Sequence, residues 1–223
     1  MWQAVVQFIR DGIVFFGELT GNYGVGIIIL TILVRLMLVP LTISQNRSTA
    51  KMQKINPEIE RIKEKYKDDP NKQNEETLRV WKEHGVNPLA GCLPLLLQMP
   101  IIFAMFSALR GFEFVGRADF IWIPSLAEPD PLYILPIIAA LATFVQTKIS
   151  TAQADGGSSQ SVMVYGMPLF IGYIAMSFPA GLALYWTVTN AFGVAQQYIV
   201  NAVLQREEEA AEAAEANDDG EAD

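Results

Sequence analysis

The sequence predicts an all-α integral membrane protein with five transmembrane helices, a cytoplasmic helical hairpin between the first two, and an amphipathic helix in the interface at the N-terminus. Three observations predict it. The 223 residues are 51% hydrophobic and only 18% charged, a balance outside that of soluble domains. Five apolar runs, at 24–43, 91–109, 132–151, 162–178 and 180–203, approach the roughly 20 residues that a bilayer-spanning helix needs. Basic residues concentrate in one loop and are scarce in the next. The formal net charge of −8 describes a tail and not the fold: residues 206–223 hold nine acidic residues against Arg206, whereas 1–205 balance at 15 of each sign. The lone Cys92 excludes an internal disulfide, and the single His84 leaves no His-rich metal site.

Taken in order, residues 1–20 place Trp2, Val5, Val6, Ile9, Ile13, Phe16 and Leu19 on a helical stripe, with Gln7, Arg10, Asp11 and Glu18 off it. They lack a basic stretch before a greasy run and an A-x-A-like cleavage site, so they read poorly as a signal peptide. An interfacial helix fits them, and a sixth span is the competing reading. The core is 21–204. Within it, 44–88 carries ten Lys and Arg, while 111–131 has only Arg117. Positive-inside counting therefore puts 44–88 and the tail in the cytoplasm and the N-terminus outside. In 44–88, Met52, Ile55, Ile59, Ile62 and Tyr66 recur at steps of three and four, giving one apolar helix face. Asn56-Pro57-Glu58 resembles a helix start, "KDDPN" a break, and His84-Gly85 a helix end with His84 as a capping residue. This basic hairpin is either a solvated spacer or a docking platform. The last two runs are parted only by Phe178-Pro179-Ala180-Gly181, which predicts a tight helical hairpin, and 205–223 read as a disordered acidic tail.

Polar residues inside the runs carry the functional question. Arg35 interrupts "ILTILVRLMLVPLTI" with no Asp or Glu in any of the five runs to neutralise it. It could snorkel to the inner interface. Alternatively it could share a wet cavity with Thr31 one turn earlier, Gln98, Gln146, Trp186, Thr187, Thr189 and Asn190, since a central arginine costs about 2.5–3.5 kcal/mol in lipid. A positive cavity without a fixed counter-charge would attract acidic groups from outside the protein.

Three blocks then carry a resemblance: "EKYKDDPNKQNEETLRVWKEHGVNPLAGCLPLLLQMPIIFAMFSALR" at 64–110, "FIWIPSLAEPDP" at 120–131 and "FPAGLALYWTVTNAFGVAQQYI" at 178–199. In this order they resemble the YidC-type membrane protein insertases over about residues 20–204. The resemblance implies a bundle around a hydrophilic groove open to the cytoplasm and to lipid. In it Arg35 and Thr31, Gln98, Gln146, Trp186 and Asn190 would be groove residues, and nascent membrane proteins with few spans and short acidic translocated tails the substrates, in the bacterial plasma membrane. The chain looks like a compact form, without a large periplasmic domain or lipoprotein signal. Its tail is acidic where some members carry a basic one. Phosphate binding rests on Lys and Arg, so if ribosomes dock, 44–88 is the better surface; the Sec translocon is a further expected partner, and specific DNA is not. No phosphate-cradling loop is found, so neither nucleotide nor other cofactor is expected. An enzyme would need a nucleophile with its base or metal ligands, and Cys92 with His84 has no third partner. A small-solute transporter is the alternative, disfavoured by the lack of an inverted repeat.

Overall fold

The computed structural model describes residues 2–86, 93–110, 112, 119–151 and 162–221. These are all-helical apart from turns and one isolated β-bridge, Phe120 to Ile123. The helices are α1 (Trp2–Thr20), α2 (Tyr23–Lys65), α3 (Pro70–Glu83), α4 (Leu93–Leu109), α5 (Ile134–Thr151), α6 (Met167–Ala175, preceded by the π-helical turn Val162–Gly166) and α7 (Ala180–Glu221).

Each predicted apolar run coincides with helix over most of its described length, the exceptions being 132–133 and 176–178, which are non-helical. By length and apolarity together, Tyr23–Gln45 is one helical stretch able to cross a bilayer, whereas Gln98–Leu109, Ile134–Ser150 and Val164–Ala175 are shorter. Residues 87–92 and 152–161, where two of the runs meet their loops, lie outside the described residues.

α1 folds back on α2 around Asn22, whose side chain accepts hydrogen bonds from Gly24 N and Val25 N and so caps α2. The two helices touch at backbone distance: a Cβ on Gly26 would lie 2.8 Å from Gly17 N and 2.9 Å from Ile13 O. Arg10 reaches from α1 to α4, donating through Nε to Ala108 O (3.0 Å) and through Nη2 to Ser107 O (3.1 Å). These are carbonyls of the last helical turn, which lack helix partners and favour a cation. The main core lies between α1, α2, α4 and α7 under the 120–126 loop, with Ile13, Ile27, Ala104, Ala108, Leu109, Ile123, Leu126 and Ala183 buried.

α2 runs on for 43 residues, about 65 Å at 1.5 Å per residue, so the first apolar run and the first arm of the basic hairpin are one helix. This corrects the expected helix start at Asn56-Pro57, because Pro57 lies inside α2. Proline removes one helical hydrogen bond, but Ile55 and Ile59 on either side bury against Val80 and Val86, and that packing carries the helix through. The rest of the hairpin is as predicted. Asp69 caps α3 with Pro70 in its first turn, and His84 is the C-cap, followed by Gly85 at φ 61°. Gln73 Nε2 donates to Lys63 O, and His84 lies 4.0 Å from Glu58, which makes the pair antiparallel.

Two further expectations differ from the structure. The turn between α6 and α7 is short, but α6 packs mainly on α5, with Gly172 against Ala140, and not as a tight hairpin with α7. The first amides of α7 instead donate to the 126–128 segment, Ala180 N to Glu128 O (2.7 Å) and Gly181 N to Leu126 O (2.9 Å). The tail expected to be disordered is helical in backbone to Glu221. Its "EEEAAEAAEA" stretch is built from strong helix formers.

Candidate functional site

Arg35 sits on α2, half-buried, and its Nη2 donates to Gln98 Oε1 on α4 (3.0 Å). Gln98 Nε2 donates in turn to the Tyr185 hydroxyl on α7 (2.6 Å). The donor logic fixes the amide: only its carbonyl can face a guanidinium, which has no acceptor, so the NH2 must point at Tyr185. One polar chain thus ties three helices together. Among the described residues no carboxylate pairs with Arg35. Its charge is held by a hydrogen bond to the neutral Gln98 amide, and that bond uses one of the five N–H donors of the guanidinium.

A second polar group fills the seam between α5 and α7. Trp186 Nε1 donates to Thr143 Oγ1 (2.8 Å), and the Thr143 hydroxyl donates to Ala139 O (2.7 Å). Asn190 Nδ2 donates to Trp186 O (2.8 Å). Gln146 Nε2 donates to Ser150 Oγ (3.2 Å), while its Oε1 is buried with no hydrogen-bond partner among the described residues. That amide rests on Gly193, where an added Cβ would meet Oε1 at 2.9 Å. Tyr185 and Trp186 are consecutive, about 100° apart around the helix, so α7 presents one to α2 and α4 and the other to α5.

Of the residues expected to share a cavity, Arg35 and Gln98 are bonded side chain to side chain across two helices, whereas Asn190 bonds only to the Trp186 carbonyl of its own helix. Thr31 is buried and its hydroxyl donates to Ile27 O of its own helix (2.6 Å). Gln146, Trp186 and Asn190 belong to the α5–α7 seam. Tyr185 and Thr143 were missed by sequence reasoning, although each had a signal: Tyr185 adjoins Trp186 and precedes Thr189 by one turn, and Thr143 precedes Gln146 by three residues on one helix face. Among the described residues no three His, Cys, Asp or Glu side chains come together as a metal site.

Residues 15–208 match the family model described as "60Kd inner membrane protein". The chain is 44% identical over 202 residues to membrane protein insertase MisCA of Bacillus subtilis (strain 168), covering 88% of this chain and 77% of that one. It is 40% identical over 195 residues to membrane protein insertase YidC of Caldanaerobacter subterraneus subsp. tengcongensis, covering 87% and 93%. Among solved structures it superposes on an active YidC insertase crystal structure with its first transmembrane domain resolved, at a TM-score of 0.72 and 30% identity. That match covers 89% of this chain but spans only 46% of the solved one. The helical fold of the described residues and the extent of these matches agree: the chain belongs to the YidC-type membrane protein insertase family.

Proposed function

We propose that this chain transfers hydrophobic segments of nascent proteins from the cytoplasm into the bilayer, through a groove made positive by Arg35 and without nucleotide hydrolysis. The reading takes 21–204 as a five-span core, with the N-terminus outside and the hairpin 44–88 and the C-terminal tail in the cytoplasm. The observation that carries it is the bond from Arg35 to Gln98. A snorkelling arginine would extend along its own helix to the interface. This one turns across to a facing helix, about 18 Å along α2 from Tyr23 at 1.5 Å per residue.

The energetics suit a passive device. An apolar span gains about 0.3–0.6 kcal/mol per residue on entering lipid, hence roughly 6–12 kcal/mol for 20 residues. An acidic residue passing the bilayer centre costs about 2.5–3.5 kcal/mol, and a potential negative inside helps its export by about 2.3 kcal/mol per 100 mV. The end state is favourable and the obstacle is a barrier. The other N–H donors of Arg35 would hold an acidic tail part-way across, and neutral Gln98 and Tyr185 would keep the arginine from being captured by an internal carboxylate. The substrate span then leaves along the flank into lipid. The natural substrates in this reading are chains with few spans and short acidic translocated tails.

Site-specific photocrosslinking tests this. A crosslinker at Gln98 or Trp186 should capture a stalled single-span nascent chain, and one at lipid-facing Phe170 should capture far less. Equal capture at all three would remove the groove from the account.

A further inference from the structure

The segment 119–133 is stitched to the outer ends of three helices. Asn22, at the start of α2, donates through Nδ2 to Asp119 O (3.0 Å), and the Phe120 ring lies flush on Gly24. Carbonyls 126 and 128 take the first amides of α7. Asp130, 1% exposed, accepts from Leu132 N (3.0 Å), from Leu135 N at the start of α5 (2.7 Å) and from Trp122 Nε1 (3.3 Å). The segment is therefore rigid and its level is fixed by the helices it joins.

Within it the chain does something that water would not reward. Phe120 and Ile123 exchange both backbone hydrogen bonds (2.8 and 2.9 Å), which closes a two-residue hairpin with Ile121 and Trp122 at its tip. Ile121 takes φ 55°, a left-handed position usually left to Gly or Asn and strained for a β-branched residue. Its side chain is nevertheless 78% exposed. Tyr133, the other non-glycine residue at φ 55° among the described residues, is 51% exposed beside Leu132 at 58%. Tyr133 heads a row of exposed apolar residues at one-turn spacing down α5, Tyr133, Ile137, Leu141 and Val145.

We propose that Ile121, Leu132 and Tyr133 form a membrane anchor, seated at the boundary between headgroups and acyl chains of the outer leaflet. Continuity with the α5 row names the occupant. A face that stays apolar over about three turns is covered by lipid, and its uppermost residues meet the interface, where Tyr and Trp are favoured. Asp130 holds the Trp122 indole N–H so that the hairpin tip stays over the start of α5. The proposal rests on the reading of α5 as a bilayer span.

The test uses the full chain with its only cysteine replaced (Cys92→Ser), carrying one new cysteine at Ile121, Leu132, Glu128 or Leu141. Each is labelled with an environment-sensitive fluorophore in phosphatidylcholine–phosphatidylglycerol liposomes. Labels at 121 and 132 should show blue-shifted emission, quenched by nitroxides near the headgroup end of lipid chains and little by iodide. The label at 128 should be quenched by iodide, and that at 141 by deeper nitroxides. Iodide quenching at both 121 and 132, or protection of both from either quencher (contact with a second copy or another protein), overturns the anchor while leaving the span in place. Iodide quenching at 141 overturns the span itself and the anchor with it.

Discussion

At the residue scale, the arginine matters through what it is bonded to. Tyr185 accepts the Gln98 NH2 that lets the Gln98 carbonyl face Arg35. Removing the hydroxyl in Tyr185→Phe should lower stability by about 0.6 kcal/mol, the average for interhelical hydrogen bonds in membranes, and by no more than about 1.7 kcal/mol. Gln98→Leu removes the same bond from the other side, so the two effects should be clearly less than additive in a double-mutant cycle read by unfolding in mild detergent. Strict additivity would mean the two side chains do not act on each other. Arg35 and Gln98 were legible in the sequence because a charge and an amide stand out in apolar runs. Their pairing was not, since they are 63 residues apart and nothing local in either run names its partner. Tyr185 was hidden because a tyrosine in an aromatic-rich helix reads as packing, and Thr143 because one hydroxyl can bond to its own helix unnoticed.

At the element scale, the apolar runs located the helices, since a run of that length has few other uses. The sequence was less informative about where one helix stops and another begins. Asn56-Pro57 has the chemistry of a helix start, but a proline is also tolerated mid-helix when tertiary packing holds both flanks, as Ile55 and Ile59 do. The partner of α6 was illegible for a related reason: a short turn says two helices are joined, not that they are each other's main neighbour. The close crossing of α1 and α2 yields a sharp prediction. In Gly26→Ala the new methyl would stand 2.8–2.9 Å from backbone atoms of α1, which cannot rotate away. Overpacking of this kind costs about 1–3 kcal/mol. Denaturation in detergent should show that loss together with faster proteolysis within residues 1–20; an unchanged midpoint and unchanged proteolysis would mean that the helices separate without strain.

At the scale of the whole molecule, charge is partitioned between a bundle at −2, a hairpin over 44–88 at +2, and a tail at −8 that equals the net charge of the chain. Beyond Arg206 the tail holds no Lys or Arg, so it has nothing with which to bind ribosomal phosphate. Deleting 207–223 should leave insertion and ribosome co-sedimentation unchanged, whereas neutralising Lys51, Lys54, Arg61 and Lys65 on the hairpin should weaken any co-sedimentation and make what remains less sensitive to salt, because fewer phosphate contacts release fewer counterions. Loss on tail deletion alone would reverse that assignment. The central claim is that the charge of Arg35, held inside the bundle by Gln98, lowers the barrier to an acidic segment. It is tested most directly with the purified chain in liposomes under an imposed potential, scoring protease protection of a single-span substrate with an acidic translocated tail. The account predicts insertion by the unmodified chain, much of it retained in Arg35→Lys, and its loss in Arg35→Ala. Equal insertion by all three would contradict it.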